Sequence, residues 1–299
     1  MAFLIALPKI QEIMTVIKQT PLLPGTLQWT IGNRKVTVLS DSHFNAGEEF
    51  FTKLPEEGVR SSLIEAFRPE SLILTTSVFL IESEEHEPVL IDTGMGTKMA
   101  PHLTGRLTEA LAFIGKKPED IGIILITHLH GDHFYGLLDP EKKRAFPNAK
   151  VWLSQTEYDY WFNNPQLSEQ EKTNTEDARE ALAPYEMLVD DGKEIVPGIT
   201  SVPLPGHTMG QTGFLLTTSE EKLLFCADIL NLPAIQLIYP EVGFATDADH
   251  DLAVKTRRDT LSKAAEERLL LAGPHFEFPC LTYVKVQGSG FQFVPKQYI

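Results

Sequence analysis

The stretch "LITHLHGDHFYG", residues 125–136, decides how the rest of the chain is interpreted. It places His128, His130, Asp132 and His133 within six residues, a combination that a packed core does not require. The apolar run "GIILITH" that leads into it is typical of a strand buried on both faces, so we expect a central strand that ends at His128. Imidazole and carboxylate groups are ligands that zinc binds at about 2.0–2.2 Å. The stretch therefore predicts a metal site at the end of this strand.

The spacing of these residues suits two ions. In the extended backbone after a strand, His128 and His130 point to the same side, whereas the turn at Gly131 directs Asp132 and His133 to a second position. Two ions need more ligands, which we expect in loops that follow other strands. The sequence supplies three candidates in such places: His207 in "LPGHTMGQT", Asp228 at the end of "LLFCAD", and His275 after "LLLAGP".

Length and composition limit the class of protein. The chain has 299 residues, 42% of them hydrophobic, which is enough for one large α/β domain. A formal net charge of −15 repels phosphate backbones and anionic lipid, so nucleic acid is not an expected partner. No segment approaches the roughly 18 apolar residues of a membrane span, and the first residues lack the basic region of a secretion signal. We expect a cytoplasmic protein. The sequence does not decide whether Cys226 and Cys280 form a disulfide bond.

The order of apolar runs predicts the architecture. Short β-rich runs such as "KVTVLSD" and "PVLIDTG" fill the first third, and strands return with "TGFLLTT" and "KLLFCAD" before a helix at about 251–268. Strands, helices, strands and helices in that order predict an α/β fold with two packed sheets and helices on the outside. Residues 28–299 would form one catalytic domain. Residues 1–27 would form an N-terminal arm whose apolar content suits docking on a second subunit, which makes homodimerisation an expectation.

The motif "THLHGDH", with "GHT", "CAD" and "GPH" in that order, resembles the metallo-β-lactamase superfamily of dinuclear metal hydrolases. The similarity runs from about Gln28 to the C-terminus and includes "VLIDTG" around Asp92. It implies an αββα sandwich and two Zn²⁺ ions, with Mn, Co or Fe as other divalent metals for the same ligands. It also implies three groups of ligands: His128, His130 and His207 for one metal, Asp132, His133 and His275 for the other, and Asp228 between them.

Departures within the superfamily narrow the resemblance. "FCAD" supplies a bridging aspartate that antibiotic-hydrolysing lactamases generally lack, and only strand-like sequence follows His275, where glyoxalase II enzymes append a helical domain. The remaining branch contains N-acyl homoserine lactonases and methyl parathion hydrolase, and "ADILNLPAIQ" and the tail "GSGFQFVPKQY" resemble the latter. Quorum-quenching lactonases typically have a Tyr three residues after the bridging Asp. This chain has Asn231 there.

The expected reaction is hydrolysis by a metal-bridging hydroxide, because two cations lower the pKa of a shared water towards about 7. Asp132 would orient the hydroxide, and Asn231 would donate a hydrogen bond to a carbonyl or leaving oxygen. The expected substrate is a lactone, such as an N-acyl homoserine lactone, or a carboxylic or organophosphate ester with an apolar substituent. Aromatic residues near the ligands would form the pocket wall: Phe134, Tyr135, Tyr158, Tyr160, Trp161 and Phe276. An ordinary amphipathic helix that buries Trp161 in the core is an equal interpretation of "EYDYWF".

Two other functions fit the same residues. An iron-binding redox or sensor protein would keep these ligands, since histidine and carboxylate also hold iron or manganese. A thiolester hydrolase similar to glyoxalase II is the second alternative. The absence of any recognisable flavin domain favours hydrolysis over redox chemistry.

Overall fold

The structure, a computed structural model, describes residues 25–54, 58–69, 72–100, 102–189 and 194–297. Its strands are β1 Thr26–Ile31, β2 Arg34–Ala46, β3 Phe51–Thr52, β4 Leu72–Glu82, β5 Val89–Ile91, β6 Ile123–Leu125, β7 Lys150–Leu153, β8 Met187–Val189, β9 Glu194–Val196, β10 Ile199–Pro203, β11 Thr212–Thr217, β12 Lys222–Phe225, β13 Gly243–Phe244, β14 Leu270–Ala272, β15 Leu281–Gln287 and β16 Gly290–Pro295. Its α-helices are α1 Gly58–Glu65, α2 Leu107–Phe113, α3 Gly131–Phe134, α4 Gln155–Phe162, α5 Glu169–Leu182, α6 Pro233–Gln236 and α7 His250–Glu267.

Two mixed sheets carry most of the strands. The first sheet has the order β1-β2-β4-β5-β6-β7-β8, antiparallel up to β5 and parallel from β5 to β8. The second has the order β16-β15-β14-β12-β11-β10-β9, with one parallel pair, β12 and β14. Parallel pairs need crossover connections, and α7 supplies the one between β12 and β14. The short strands β3 and β13 pair separately.

The two sheets pack face to face through aromatic and aliphatic side chains. The ring of Phe79 on β4 lies 5.2 Å from that of Phe225 on β12, and Trp152 on β7 lies 5.5 Å from Phe214 on β11. Helices α2, α4 and α5 cover the outer face of the first sheet, and α7 packs on β15 of the second. The predicted αββα sandwich is therefore confirmed.

Several local predictions meet their outcome here. A capping box begins α5, where Ser168 Oγ accepts from the Glu171 amide and the Glu171 carboxylate accepts from the Ser168 amide. Both cysteines are buried and free, so the bond between Cys226 and Cys280 is not formed. In the part of the chain that the structure describes, no helix is both long and apolar enough to cross a bilayer.

Two predicted boundaries were wrong. The central strand β6 ends at Leu125 and not at His128, because the Thr127 amide donates to the Asp92 carboxylate instead of continuing the ladder. Residues 26 and 27, assigned to the N-terminal arm, belong to β1, which pairs with β2 throughout its length. The rest of the predicted arm, residues 1–24, lies outside the described residues.

Candidate metal centre

All seven predicted ligands converge at one edge of the sandwich. They come from the segments that follow four strands: His128 and His130 after β6, Asp132 and His133 on α3, His207 between β10 and β11, Asp228 after β12, and His275 between β14 and β15. Both sheets contribute, so the site depends on the packing of one sheet against the other. The side-chain donor atoms form three overlapping groups, each with its atoms within 4.8 Å of one another.

The first group consists of three imidazoles. His130 Nδ1 lies 3.2 Å from His128 Nε2 and 2.9 Å from His207 Nε2. Ligand atoms of a tetrahedral zinc site with bonds of about 2.0–2.1 Å are separated by about 3.3 Å. The three nitrogens therefore have nearly the mutual spacing that one such ion requires.

The second group consists of Asp132, His133 and His275. His133 Nε2 lies 3.5 Å from Asp132 Oδ1, and His275 Nε2 lies 3.7 Å from Asp132 Oδ2. The Asp132 carboxylate is thus placed between the two rings. An imidazole pair and one carboxylate are a ligand set that zinc and other divalent first-row metals accept.

Asp228 lies between the two groups. Its Oδ2 atom is 3.4 Å from His207 Nε2 and 2.8 Å from His275 Nε2, and its Oδ1 atom is 3.4 Å from His133 Nε2. One carboxylate therefore reaches the first and the second group at the same time. That is the position a bridging ligand of two metals needs.

Unsatisfied polar atoms at the centre test whether a metal fits. His133 Nε2 and Asp228 Oδ1 are completely buried and make no hydrogen bond. Leaving a buried polar atom unpaired costs about 1–3 kcal/mol, and more when it is charged. Cations held by these atoms would satisfy both, so the residues fit a dinuclear metal site.

The ligands divide into rings that burial keeps neutral and rings beside carboxylates that favour a positive charge. Burial lowers the pKa of His128 and of His130 well below the usual value, so both rings are neutral and offer lone pairs. Burial also lowers the pKa of His133, but the Asp228 and Asp132 carboxylates outweigh it and hold that pKa well above the usual value. Burial raises the pKa of Asp228, and the surrounding histidines more than offset this, so the carboxyl is ionised.

The second ring nitrogen faces an acceptor in three of the histidine ligands, His133, His207 and His275. His275 Nδ1 donates to the backbone carbonyl of Thr75 at 2.7 Å, since a carbonyl only accepts, and Nε2 is the ring atom that faces the Asp228 carboxylate. His133 Nδ1 donates to Asp92 Oδ2 at 2.8 Å in the same way. Such partners fix the orientation of metal-binding rings and increase their basicity.

Asp92 is held in an unusual backbone conformation at the end of β5. Its φ of 62° lies in the left-handed region, which costs a non-glycine residue about 1 kcal/mol or more. The carboxylate accepts from the Thr127 amide at 2.8 Å and from Thr127 Oγ1 at 2.9 Å, in addition to His133. Asp92 in the "VLIDTG" motif thus stabilises the loop that carries His128 and His130.

Sequence reasoning missed two carboxylates that support the centre. Asp247 accepts from His207 Nδ1 through Oδ1 and from the Phe244 amide through Oδ2, each at 2.8 Å. Its only signal was an acidic residue in the loop "TDADH", which many surface loops share. The other carboxylate, Glu157, carried no signal because its helix segment "EYDYWF" is typical of an amphipathic helix.

Glu157 on α4 is fully buried and accepts four hydrogen bonds. The Leu129 amide at 2.8 Å and Trp161 Nε1 at 2.6 Å donate to Oε1, and Thr208 Oγ1 at 2.6 Å and the Gly210 amide at 3.1 Å donate to Oε2. Burial raises the pKa of Glu157, and the four hydrogen bonds lower it by less than burial raises it. One side chain thus connects the loop of His128 and His130 with the loop of His207.

Two clefts adjoin the ligands. The polar cleft, a cavity of about 340 Å³ beside His130 and His207, is lined by Tyr160, Trp161, Ser168, Gln170, Glu171, Asn174, Thr208 and the segment 245–248. The apolar cleft, a cavity of about 180 Å³ beside His275, is lined by Leu63, Arg68, Pro69, Ile73, Thr75, Leu232, Pro233, Ala234 and Glu277. The two metal groups therefore face surroundings of different polarity.

The predicted aromatic pocket wall is only partly present. Trp161 lines the polar cleft with its ring 5.8 Å from that of His130, although most of the side chain is buried in the core, as the alternative interpretation held. Phe134 and Phe276 were assigned wrongly, because both are fully buried in the core and reach neither cleft. Tyr135 lies at a separate surface cleft, where its hydroxyl donates to Asp177 at 3.1 Å.

Asn231 lies against the bridging position. Its Nδ2 donates to Asp228 Oδ2 at 3.0 Å, and its side chain is buried. Gln236 Oε1 in turn accepts a hydrogen bond from the Asn231 backbone amide at 2.7 Å. The side-chain amide of Asn231, which was predicted to donate to a substrate, therefore donates to the Asp228 carboxylate.

Comparisons with known proteins agree with this geometry. An N-acyl homoserine lactonase of Bacillus cereus is 30% identical over 187 residues, which cover 55% of this chain and 68% of the lactonase. The structure of AidC, described as a dizinc quorum-quenching lactonase in complex with a product, superposes with a TM-score of 0.84 at 26% identity, covering 93% of this chain and 99% of AidC. The hydrolase AbOPH has a TM-score of 0.85 at 26% identity, with the same coverage.

The family assignment follows from the extent of the match. The family model of the metallo-beta-lactamase superfamily matches residues 73–275, which is more than half of the chain and includes every ligand described above. The chain belongs to the metallo-beta-lactamase superfamily.

Proposed function

We propose that this protein is a dizinc lactonase that opens the ring of N-acyl homoserine lactones. The observation that carries the proposal is the position of Asp228 between two complete ligand groups, within reach of His207 on one side and His133 and His275 on the other. The coarser prediction, a metal-dependent hydrolase that acts on ester bonds, is confirmed by the lactonases among its relatives.

The relatives support the lactone as substrate. The Bacillus cereus relative is an N-acyl homoserine lactonase, and AidC is described with its product, N-hexanoyl-L-homoserine. Similarity at 26–30% identity supports this substrate class without fixing the acyl group. Carboxylic and organophosphate esters share the chemistry of attack by water on a polarised carbonyl or phosphoryl group, and they remain predictions of the sequence.

The ligands of this chain would hold the metals and prepare the reaction. Two bound divalent ions supply a water acidic enough to become a nucleophile near neutral pH and a positive charge that polarises the lactone carbonyl. Asp132 has 18% of its side chain accessible, and Thr76 Oγ1 donates to its Oδ2 at 3.1 Å. Asp132 is thus placed to accept the proton of the attacking water and to return it to the oxygen released when the ring C–O bond breaks.

Asn231 acts on the centre and not on the substrate in this proposal. Its Nδ2 donates to Asp228 Oδ2, which fixes the rotation of the carboxylate between the two ligand groups. A tyrosine at the same position would instead project a hydroxyl at the end of a rigid ring. Loss of the Asn231 amide should therefore weaken metal binding more than it changes substrate preference.

The test is metal content together with initial rates on a matched panel. The panel contains an N-acyl homoserine lactone, an aryl ester, a dialkyl aryl phosphotriester, a thiolester and a β-lactam. About two zinc ions per chain, with lactone turnover that a chelator abolishes and zinc restores, would support the proposal. Two irons with no turnover would favour the redox or sensor alternative, and preference for the thiolester or phosphotriester would replace the lactone by that substrate.

A further inference from the structure

We propose that the apolar cleft beside His275 binds the acyl chain of the substrate and that the ion pair between Arg68 and Glu277 limits the chain length it accepts. This inference rests on the lactonase function proposed above. It assigns the two clefts different parts of one substrate, with the acyl chain in the apolar cleft and the polar ring and amide towards the polar cleft.

The walls of the apolar cleft suit an alkyl chain. Leu63 on α1 and Leu232 before α6 are almost completely buried, and Pro233 and Ala234 continue the same surface. These residues belong to a core cluster where α1 packs on α6, so the cleft has a preformed wall. Removing a methylene from water into such surroundings improves binding about fourfold.

The polar cleft suits an alkyl chain poorly. Glu171 lies on its wall, held by Tyr160 Oη at 2.7 Å, and Asn174 lies beside it. An alkyl chain placed there would take water from a carboxylate and an amide and offer them no hydrogen bond. The same groups can bind the amide and hydroxyl of a homoserine lactone or its product.

The ion pair forms an exposed part of the wall of the apolar cleft. Arg68 Nη2 lies 2.6 Å from Glu277 Oε2, and Arg68 Nε contacts Glu277 Oε1, so the pair is bidentate. The two side chains are 41% and 58% exposed, whereas Leu63 and Leu232 at the other lining positions are buried. Glu277 follows His275 by two residues. The pair therefore joins the turn after α1 to the loop of a metal ligand and is part of the cleft wall that solvent reaches.

Two substitutions separate the roles of the wall and of the ion pair. Ala234→Phe fills the cleft from α6, and Arg68→Ala removes the exposed ion pair from its wall. A matched control is Arg258→Ala, because Arg258 Nη2 and Glu241 Oε2 form another exposed pair at 3.0 Å, with side chains 42% and 51% accessible, that lines neither cleft. Exposed pairs contribute little to stability, so both arginine variants should fold.

The experiment measures equilibrium binding of the ring-opened N-acyl-homoserines, from butanoyl to dodecanoyl, to the zinc-loaded proteins by calorimetry. Rates on the corresponding lactones are measured in parallel. In the wild type and Arg258→Ala, affinity should rise about fourfold per methylene and then level off at the same chain length. Arg68→Ala should move this limit to longer chains, with at least a tenfold gain for dodecanoyl, and Ala234→Phe should move it to shorter ones.

The two proposals fail in different ways. A limit at the same chain length in Arg68→Ala, Ala234→Phe and Arg258→Ala would overturn the assignment of the cleft, even with normal lactone turnover. A chain-length limit that shifts as expected, in a protein that turns over no lactone, would sustain the cleft as an acyl-binding site and reject the lactonase function.

Discussion

Asp247 Oδ1 accepts a hydrogen bond from His207 Nδ1 at 2.8 Å, and both side chains are buried. The contact orients His207 Nε2 towards His130 Nδ1 and Asp228 Oδ2. A carboxylate behind a metal-binding ring typically contributes a factor of about 10–100 to metal affinity. The first ligand group therefore depends on a residue that binds no metal itself.

Asp247→Ala should weaken zinc binding at the first ligand group by about 10–100-fold, because the His207 ring loses its fixed orientation and its anionic partner. Competition with a chromophoric chelator measures the two affinities. Asp259→Ala is the control, since it removes the same charge from an exposed position on α7. Equal affinities in the two variants would show that Asp247 does not position the ring.

Asp228→Ala should reduce the metal content from two ions to one and lower lactone turnover by about 100-fold or more, because the carboxylate that reaches both ligand groups is lost. Elemental analysis of the dialysed protein, together with initial rates at saturating zinc, measures both effects. Two ions retained at near-normal rates would contradict the bridging role.

The ligands could be predicted from sequence because the HxHxDH motif is contiguous and because each further ligand directly follows an apolar strand. The sandwich could be predicted for a similar reason, since apolar runs such as those of β4 and β12 show which segments are buried. Strand ends could not. The end of β6 depends on Asp92, which lies 35 residues before Thr127 in sequence. The Asp92 carboxylate accepts the hydrogen bond of the Thr127 amide, so this amide does not join the strand ladder.

Supporting residues are recognisable only after the chain is folded. Glu157 binds two loops, one 28 and the other up to 53 residues away in sequence, and nothing in its neighbourhood distinguishes it from an exposed helical glutamate. Phe134 and Phe276 each adjoin a ligand, but a side chain one residue further along points in another direction, in this case into the core. Proximity in sequence to a ligand thus predicts contact with the pocket poorly.

Glu157→Ala should lower the free energy of unfolding by about 3–5 kcal/mol, because four donors lose a buried carboxylate, two of them the backbone amides of Leu129 and Gly210. Glu157→Gln should cost about 1–3 kcal/mol, since its amide group faces two donors where an oxygen had accepted. Urea unfolding at fixed zinc concentration measures both. Glu176→Gln on the exposed face of α5 is the control, and losses no larger than in this control would refute the role of Glu157.

Glu221 ties the C-terminal hairpin to the turn between β11 and β12. Its Oε1 accepts from Lys296 Nζ and from Tyr283 Oη, each at 2.8 Å. Burial raises the pKa of Glu221, but the hydrogen bonds from Lys296 and Tyr283 lower it by more than burial raises it. The folded pKa therefore lies below the usual 4.5. The stabilisation is therefore complete above pH 4.5 and is lost as the pH falls through the folded pKa.

Glu221→Gln should remove this pH-dependent contribution, because the amide carries no titrating proton. At near-neutral pH the variant should be less stable than the wild type, and as the pH falls below 4.5 the two unfolding free energies should converge. Urea unfolding across this range measures the slopes, with Glu220→Gln as the control for the loss of one exposed charge in the same turn. If the curve of Glu221→Gln runs parallel to that of the wild type down to the acid limit, then Glu221 binds no fewer protons in the folded than in the unfolded chain, and the hairpin is held by packing alone.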